Sequence, residues 1–141
     1  MEFIEIKTRP QLEDTFEILK ELVPELKKEN FFESLNHDLM KNQKLFGITS
    51  SGKLVSVAAV WLLMNGLLEK FLWIHAFVTT KGERSKGFGQ KLLLELEKYA
   101  DREKFNEIRI HAHRERAIAF WENNAKFELF SHVYRKKIEL K

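Results

Sequence analysis

A glycine-rich stretch in the second half of the chain has the composition of an anion-binding loop. It reads Arg-Ser-Lys-Gly-Phe-Gly-Gln over residues 84–90 and leads directly into an apolar helical pattern. Helices usually begin at a Ser, Thr, Asp or Asn side chain, whereas glycine has no side chain that could keep a ligand away from the backbone. Because a helix N-terminus carries about half a positive charge and directs several N–H groups at one place, this stretch predicts a phosphate-binding loop.

Two common phosphate-binding loops do not fit these residues. A Walker loop needs Lys and then Ser or Thr directly after its last glycine, but Gly89 is followed by Gln90 and Lys91. The dinucleotide-binding fingerprint needs a third glycine where this chain has Leu92. The pattern that remains is Arg or Gln, any two residues, Gly, any residue, and Gly or Ala, and residues 84–89 match it.

The segments around the loop carry strand and helix patterns in turn. Strands are indicated by alternating or continuous apolar residues, and helices by apolar residues at every third or fourth position. The predicted order is a strand, two helices, three strands, a helix, a strand, a helix and a strand. Their predicted ranges are 2–7, 9–23, 25–41, 45–49, 53–64, 67–80, 90–104, 107–113, 114–124 and 127–140. This order predicts a mixed α/β fold in a single domain of residues 1–141.

The overall composition is that of an ordinary globular protein, with 44% hydrophobic and 32% charged residues. The chain has no Cys, which excludes disulfides, thiolate metal sites and a cysteine nucleophile. Its longest apolar run, Leu54 to Met64, is shorter than the roughly 20 residues of a membrane span, and its N-terminus lacks the apolar region of a signal peptide. We therefore expect a cytoplasmic protein that does not associate with membranes. The net charge of +3 is too small to indicate nucleic-acid binding.

The glycine-rich loop and a later segment together resemble the GNAT acetyltransferase superfamily. The loop follows a long strand pattern, and residues 117–122 read Ala-Ile-Ala-Phe-Trp-Glu before Phe127, similar to the family segment A-x-x-F-Y-E-K-x-G-F. The resemblance covers residues 74–130 by motif and the rest of the chain by the order of elements. It implies the GNAT acyl-CoA N-acyltransferase fold, with a central, mixed and mostly antiparallel sheet flanked by helices. It also implies direct transfer of an acetyl group from acetyl-CoA to a primary amine, without a metal.

The same resemblance assigns residues that bind the donor. Backbone N–H groups of the loop would hold the pyrophosphate, and the loop cations would add positive charge. The edge of the preceding strand would pair with the pantetheine amides, and a backbone N–H near Val78 would polarise the thioester carbonyl. The cofactor-binding residues expected in this way are Phe77, Val78, Thr79, Arg84, Ser85, Lys86, Gly87, Phe88, Gly89, Gln90 and Trp121.

The sequence departs from the family pattern around the leaving group. Trp121 stands where the family usually has a Tyr that protonates the departing thiolate, and an indole cannot do so at neutral pH. Arg114 stands where many members have Asn, and Ala125 or Lys126 replaces the glycine before the final Phe. Tyr134 is a candidate replacement acid; the alternative is that it is a packed aromatic residue.

His75 is the candidate general base. An acceptor amine with a pKa of about 10.4 must lose a proton before it attacks, and imidazole titrates near neutral pH. Side-chain alternation predicts that Trp73, His75, Phe77 and Thr79 share one face of the strand that directs the thioester. The alternative interpretation is a core histidine that is hydrogen-bonded to a neighbouring main chain.

Other titratable residues favour structural roles. His111 and His113 could ligate a metal, but the sequence shows no evident third ligand, and solvent-side or helix-facing positions fit them better. Acidic residues at positions 25, 29, 33 and 38 could attract a cationic acceptor near the first two helices, or could simply form a solvated helix face. No motif identifies the acceptor, so a protein N-terminus, lysine, a polyamine, an amino acid and an aminoglycoside all stay open.

The sequence therefore predicts an acetyl-CoA-dependent N-acetyltransferase, for which family analogy also allows a homodimer. A second hypothesis is a catalytically weak CoA-binding or regulatory module of the same fold. Trp121 and Arg114 suggest this alternative, because both replace residues that the family usually has near the leaving group.

Overall fold

The computed structural model describes residues 1–112 and 114–140, and the chain divides into two compact units, Met1–Ile110 and His111–Lys141. The strands of the first unit are β1 (Glu2–Glu5), β2 (Gln43–Ser50), β3 (Lys53–Met64), β4 (Lys70–Thr79) and β5 (Glu107–Ile110). Its helices are α1 (Arg9–Leu22), α2 (Lys28–Leu35) and α3 (Phe88–Arg102), with a short 3-10 turn at Asp38–Met40. The second unit contains α4 (Glu115–Ala119), which continues into a π-helical turn at Phe120–Asn124.

The five strands form one sheet in the order in which they occur along the chain. β1 with β2, β2 with β3 and β3 with β4 pair in antiparallel fashion. β4 and β5 pair in parallel, and α3 forms the crossover between them. The sheet is therefore mixed and mostly antiparallel, which confirms the predicted fold class.

Helices cover both faces of this sheet. On one face, Phe16 of α1 packs in a buried cluster with Leu45 of β2 and Val57 of β3. On the other face, Tyr99 of α3 lies against Phe46 of β2, with ring centroids 4.9 Å apart. Because successive strand residues point to opposite faces, the apolar residues of β2 and β3 supply two core layers. This explains why both strands have continuous rather than alternating apolar sequences.

Local turn chemistry sets the strand ends. Ser51 and Gly52 have φ of 53° and 77°, and these two positive values close the β2–β3 hairpin with a two-residue turn. The side-chain oxygen of Asn65 accepts two backbone N–H groups from the loop that follows β3. The backbone of that loop is therefore used for the turn, and β4 begins at Lys70 rather than at residue 67 as predicted.

Several predicted boundaries need correction. The second helix covers Lys28–Leu35 rather than 25–41, and the strand predicted for 107–113 ends at Ile110. The strand predicted for 127–140 is wrong, because residues 126–140 form neither helix nor strand. Aromatic and β-branched residues favour a strand, but a strand also needs a hydrogen-bonded neighbour, which sequence patterns do not identify. Within the described residues, none of the helices combines the length and the apolar character required to cross a bilayer.

Candidate active site

A β-bulge interrupts β4 at the predicted base. Ala76 pairs with Ala59 of β3, but the next pair along the ladder joins Ile74 to Val60. His75 is therefore the extra residue on β4, opposite no residue of its own. A bulge of this kind re-aims side chains and increases local twist, and bulges are common next to active sites.

The bulged His75 is held by side chains from two other strands. Its Nε2 lies 2.6 Å from Oε1 of Gln43, and its ring stacks on Trp61 with centroids 4.2 Å apart and planes 20° apart. Strand alternation places Trp61 on the same face as Ala59, which belongs to the core under α1. His75 thus lies half-buried on the α1 face of the sheet.

Burial determines the protonation state of this histidine. Loss of water around the ring lowers the pKa of His75 from 6.5 to about 4. At neutral pH the imidazole is uncharged, and with the Gln43 oxygen as acceptor its Nε2 carries the proton. A group with this pKa holds an added proton weakly, so His75 is a weaker base than the sequence suggested.

Beyond the bulge the side chains of β4 divide between the two faces. Val78 packs into the core under α1, whereas Phe77 and Thr79 face the first turn of α3, next to Gly89. His75 lies on the α1 face with Val78. The expectation that residues 73, 75, 77 and 79 share one face is therefore wrong, because the bulge shifts the alternation between residues 75 and 77.

The hydrogen-bond ladder also corrects the role predicted for the Val78 backbone. The N–H of Thr80 donates to the carbonyl of Val55 over 2.8 Å, and Val78 pairs with Val57 in the same register. In an antiparallel ladder every second residue directs its N–H and C=O to the same neighbour. The N–H of Val78 is therefore directed at β3, and the backbone groups directed away from β3 are those of Phe77 and Thr79.

The sheet opens along this outward edge of β4. β5 pairs with residues 71–74 of β4 and then ends at Ile110. Within the described part of the chain, no strand lies beside residues 75–79 on the β5 side. Two strands that part in this way leave a cleft into which an extended ligand can insert as a further strand.

The segment that follows β4 is a compact loop built on left-handed backbone. Gly82, Ser85 and Gly87 have φ of 93°, 65° and 86°. Gly87 is the N-cap residue of α3, and no side chain caps this helix among the described residues. The first turn of α3 contains no acidic residue. The N–H groups and the dipole of this helix start are therefore directed at a place suited to an anion.

The two glycines of the motif differ in backbone conformation and in surroundings. Gly87 adopts a positive φ that L-amino acids rarely take. Gly89 is helical, and a Cβ there would meet only Phe77 Cε1 at 3.5 Å and Thr79 Oγ1 at 3.6 Å, which are ordinary contacts. The contacts of the protein itself therefore do not require glycine at position 89.

The loop cations are already paired with carboxylates. Arg84 donates from Nε to the carbonyl of Thr79 over 2.9 Å, and its Nη2 lies 3.5 Å from Oε1 of Glu21. Lys86 Nζ lies 3.1 Å from Oε2 of Glu83. Arg84 therefore also serves to close the loop, and a bound anion would depend on the backbone N–H groups more than the sequence suggested.

Glu21 is a residue of this site that the sequence did not reveal. It lies on the last turn of α1 and contacts Thr80, Lys81 and Arg84. A partnership between residues about 60 positions apart leaves no local pattern, and only the packing of α1 on the sheet brings them together.

A cationic groove lies between α1 and α2. It has a volume of about 710 Å³ and is lined by Arg9, Phe16, Lys20, Leu26, Lys27, Lys28, Glu29 and Phe32. Arg9 and Lys28 both pair with Glu13. Of the four acidic residues proposed to attract a cationic acceptor, only Glu29 lines this groove, so its charge favours an anionic group instead.

The second unit holds the remaining predicted residues. Trp121 is buried, and its ring lies 5.0 Å from those of Phe120 and Phe127. Tyr134 is 88% exposed, and its ring centroid lies 6.3 Å from that of His132. The alternative interpretation of Tyr134 as a packed aromatic is therefore wrong.

The sequence also singled out polar residues at the start of this unit, His111, His113 and Arg114. Arg114 is the extended N-cap residue of α4, and His113, one of the two histidines considered as metal ligands, lies outside the described residues. Among the residues that are described, no three His, Asp or Glu side chains are grouped so as to hold a metal ion.

Comparisons with known proteins identify the family and the fold of this chain. The sequence model of the acetyltransferase (GNAT) family matches residues 11–127. The fold is similar to that of an aminoglycoside acetyltransferase from an uncultured soil metagenomic sample, with a TM-score of 0.78 and 15% identity over 99% of this chain and 95% of that chain. It is also similar to a ribosomal-protein-alanine N-acetyltransferase from Brucella melitensis biovar Abortus 2308, with a TM-score of 0.77 and 14% identity over 99% and 98% of the two chains.

An acetyltransferase from Trypanosoma brucei gives a comparable result, with a TM-score of 0.76 and 16% identity over 97% of this chain and 99% of that chain. Comparison with curated protein sequences gives no match. At such identities the structural similarity shows the fold, while the family match spans most of the sequence. The chain belongs to the GNAT acetyltransferase family.

Proposed function

We propose that this protein transfers the acetyl group of acetyl-CoA to a primary amine and that residues 1–141 act as one domain. The observation that carries the proposal is the glycine-initiated start of α3, which has no side-chain cap among the described residues and lies beside the segment of β4 that follows its pairing with β5. The family match at residues 11–127 runs across the boundary between the two units, which supports a single functional domain. A cytoplasmic location and a homodimer remain predictions.

The residues around the cleft have the properties needed to hold the donor. Backbone N–H groups from Ser85 to Gln90, with the dipole of α3, suit the pyrophosphate. Gly89 has no side chain that could keep the phosphates away from the backbone of the helix start. On the side of β4 that faces away from β3, the pantetheine amides could pair with the backbone of residues 77–79 like an added strand. When bound there, acetyl-CoA supplies an activated thioester.

His75 is proposed to orient the acceptor rather than to remove its proton. The bulge places the imidazole at the part of β4 where the sheet opens, and its depressed pKa keeps it neutral. A neutral ring nitrogen can accept a hydrogen bond from an amine without repelling a cation. The amine then attacks from its small uncharged population, and its proton passes to solvent.

Departure of the thiolate needs little assistance on this proposal. A CoA thiol is chemically like that of Cys, with a pKa of about 8.5, so the thiolate is a tolerable leaving group near neutral pH. Trp121 has no acidic proton to give, and we propose that it serves as a wall of the thioester channel. Tyr134 remains a candidate acid, supported only by its accessible hydroxyl.

The acceptor is proposed to carry an acidic group near its amine. The family resemblance implies that the first two helices and the turn at residues 61–70 shape the acceptor pocket. The groove between the two helices is lined by four cations and one acidic residue. Phe16, Leu26 and Phe32 add apolar surface to the same groove. A peptide N-terminus followed by an acidic residue, or an amino acid, fits this surface better than a polyamine does.

The proposal is tested by measuring release of free CoA thiol in an acceptor screen. Matched pairs of peptides that share the N-terminal residue and differ only in Glu or Lys at the second position isolate the effect of acceptor charge. We expect N-acetylated product by mass spectrometry, with the acidic peptides preferred. Thermal stabilisation by acetyl-CoA but not by NAD or ATP is expected as well, since a tenfold excess over Kd contributes about 1.4 kcal/mol.

A second candidate, the weak or regulatory CoA-binding module, is favoured by Trp121 and Arg114 at the places of the family's usual Tyr and Asn. It predicts stabilisation by CoA without turnover for any amine. Equal or larger thermal shifts with NAD would contradict both candidates, because the loop assignment would then be wrong.

A further inference from the structure

One carboxylate outside the glycine-rich motif makes three contacts with the loop before it. Oε2 of Glu21 accepts the hydroxyl hydrogen of Thr80 over 2.5 Å. Oε1 accepts the backbone N–H of Lys81 over 2.7 Å and lies 3.5 Å from Nη2 of Arg84. A charged acceptor makes shorter and stronger hydrogen bonds than a neutral one, so this is the principal side-chain anchor of residues 80–84.

The contacts constrain the backbone on both sides of the turn at Gly82. Thr80 is fixed to β3 through its N–H bond with Val55, and Glu83 donates its N–H to Thr80. Gly82 lies between Thr80 and Glu83, and Ser85 follows them. Both Gly82 and Ser85 have left-handed backbone conformations. Glycine adopts a positive φ without strain, whereas a left-handed Ser85 persists only where its surroundings constrain it. Glu21 contributes to that constraint through Arg84, the residue before Ser85.

Glu21 also sets how the loop presents charge. Arg84 is held between Glu21 and the carbonyl of Thr79, so its guanidinium is oriented by the protein before a ligand arrives. The backbone N–H groups of the helix start then become the main contacts for phosphate oxygens, and these have fixed geometry.

We propose that Glu21 is a positioning residue for donor binding, which holds residues 80–84 so that the start of α3 faces the pyrophosphate. This role rests on the proposed function, because it assumes that CoA is the ligand of the loop. Glu21 acts through Thr80, Lys81 and Arg84 and contacts neither the thioester nor the acceptor amine.

The sign of one mutational effect separates this role from simple electrostatics. CoA is a polyanion, so removal of a nearby negative charge should strengthen its binding if charge alone matters. If Glu21 shapes the loop, Glu21→Ala should weaken binding instead. We expect Kd for CoA to rise about tenfold, the loss expected for a charge-assisted anchor at a partly exposed site, with kcat at saturating donor changed less than twofold.

The experiment compares Glu21→Ala, Glu21→Gln and the control Glu17→Ala by calorimetry with CoA and by steady-state kinetics. Glu17 is an exposed residue one turn earlier on α1, and its substitution by Ala changes the net charge by the same amount as Glu21→Ala. Glu17→Ala should bind CoA as tightly as wild type or slightly more tightly. Glu21→Gln should fall between wild type and Glu21→Ala, since its single amide oxygen can replace only one of the two carboxylate oxygens that accept from Thr80 and Lys81, and the amide does not neutralise Arg84.

Amide hydrogen exchange in the absence of ligand gives an independent readout. Peptides covering residues 80–90 should exchange faster in Glu21→Ala, while peptides from β2 and β3 should not change. Unchanged or tighter CoA binding by Glu21→Ala would overturn the role of Glu21 and leave the proposed function intact. Failure of the wild-type protein to bind CoA would overturn the proposed function, and this role with it.

Discussion

Gln43 of β2 and His75 of β4 meet across the intervening strand β3, with 2.6 Å between Oε1 and Nε2. The bulge at His75 and the stacked ring of Trp61 bring the two side chains together. The result is an uncharged, oriented imidazole at the point where β4 parts from β5. The first two predictions concern this relationship.

Acidification should destabilise the fold through His75. Its pKa is about 4 in the folded protein and 6.5 when unperturbed, so the unfolded chain binds the proton more readily. The contribution of neutral His75 to the free energy of unfolding is therefore complete above pH 6.5 and is lost progressively as the pH falls toward 4. Between pH 7 and pH 5 we expect a loss of about 1 kcal/mol, after allowance for the water that still reaches the ring. Urea unfolding at both pH values should show a smaller loss in His75→Gln than in wild type, and equal losses would contradict the assigned pKa.

Turnover should rise with pH without an inflection from His75. The rate should follow the uncharged fraction of the acceptor amine up to its own pKa, because His75 is already neutral above about pH 5. There should be no descending limb below about pH 9.5, since no phenolic acid is required. His75→Gln should lower kcat about tenfold and keep the shape of the profile. A limb with an apparent pKa of 6–7 that is present in wild type and absent from the variant would show that His75 acts as the base after all.

The two glycines of the loop should respond differently to substitution. Gly87→Ala should destabilise the folded chain by about 1–2 kcal/mol, because alanine is strained at positive φ. Gly89→Ala should leave stability unchanged or raise it by up to about 1 kcal/mol, because alanine favours helices, while weakening CoA binding. Gly89→Val should abolish binding in a folded domain. Thermal unfolding with calorimetry separates these outcomes, and normal CoA binding by Gly89→Val would place the anion site elsewhere.

Trp121 should be replaceable by another aromatic residue. Since the indole is proposed to form a wall and not to act as an acid, Trp121→Phe should keep most of the turnover, and Trp121→Tyr should be neutral or mildly activating. Both variants are compared with wild type at saturating acetyl-CoA, with CoA affinity as the control for folding. A severe loss of kcat in Trp121→Phe with normal affinity would mean that the indole N–H takes part directly.

The cationic groove should affect the KM for the acceptor and not the KM for acetyl-CoA. Lys20→Glu should raise KM for acidic peptide acceptors about tenfold and leave KM for acetyl-CoA unchanged, because Lys20 lines the groove between α1 and α2. Lys53→Glu makes the same charge change at the exposed β2–β3 hairpin and serves as the control. Equal effects of the two variants would show that only net charge matters.

Features encoded by neighbouring residues could be predicted from the sequence. The glycine-rich start of α3 and the turn at Ser51 and Gly52 depend on local conformation, and both are found where the pattern indicates. The order of elements from β1 to β5 was predicted for the same reason, since each element buries its own apolar residues.

Features that depend on distant partners could not be predicted. The bulge at His75 exists only in the register between β3 and β4, and it changes both the face and the pKa of the residue proposed as base. Glu21 reaches Lys81 only after α1 packs on the sheet. The predicted last strand likewise depended on strand pairing, which a local pattern does not reveal, and residues 126–140 form neither helix nor strand.

The parallel pairing of β4 with β5 has a consequence for folding during synthesis. β2, β3 and β4 are joined by short turns and can pair as soon as they are made, whereas β5 can dock only after α3 has formed the crossover. Until then the backbone of β4 at residues 71–74, which carry apolar side chains, has not yet paired with residues 107–110. An unpaired edge of this kind is a template for aggregation. A nascent chain released before residue 107 should therefore aggregate, and chaperones that cover exposed strands should be needed mainly in this interval.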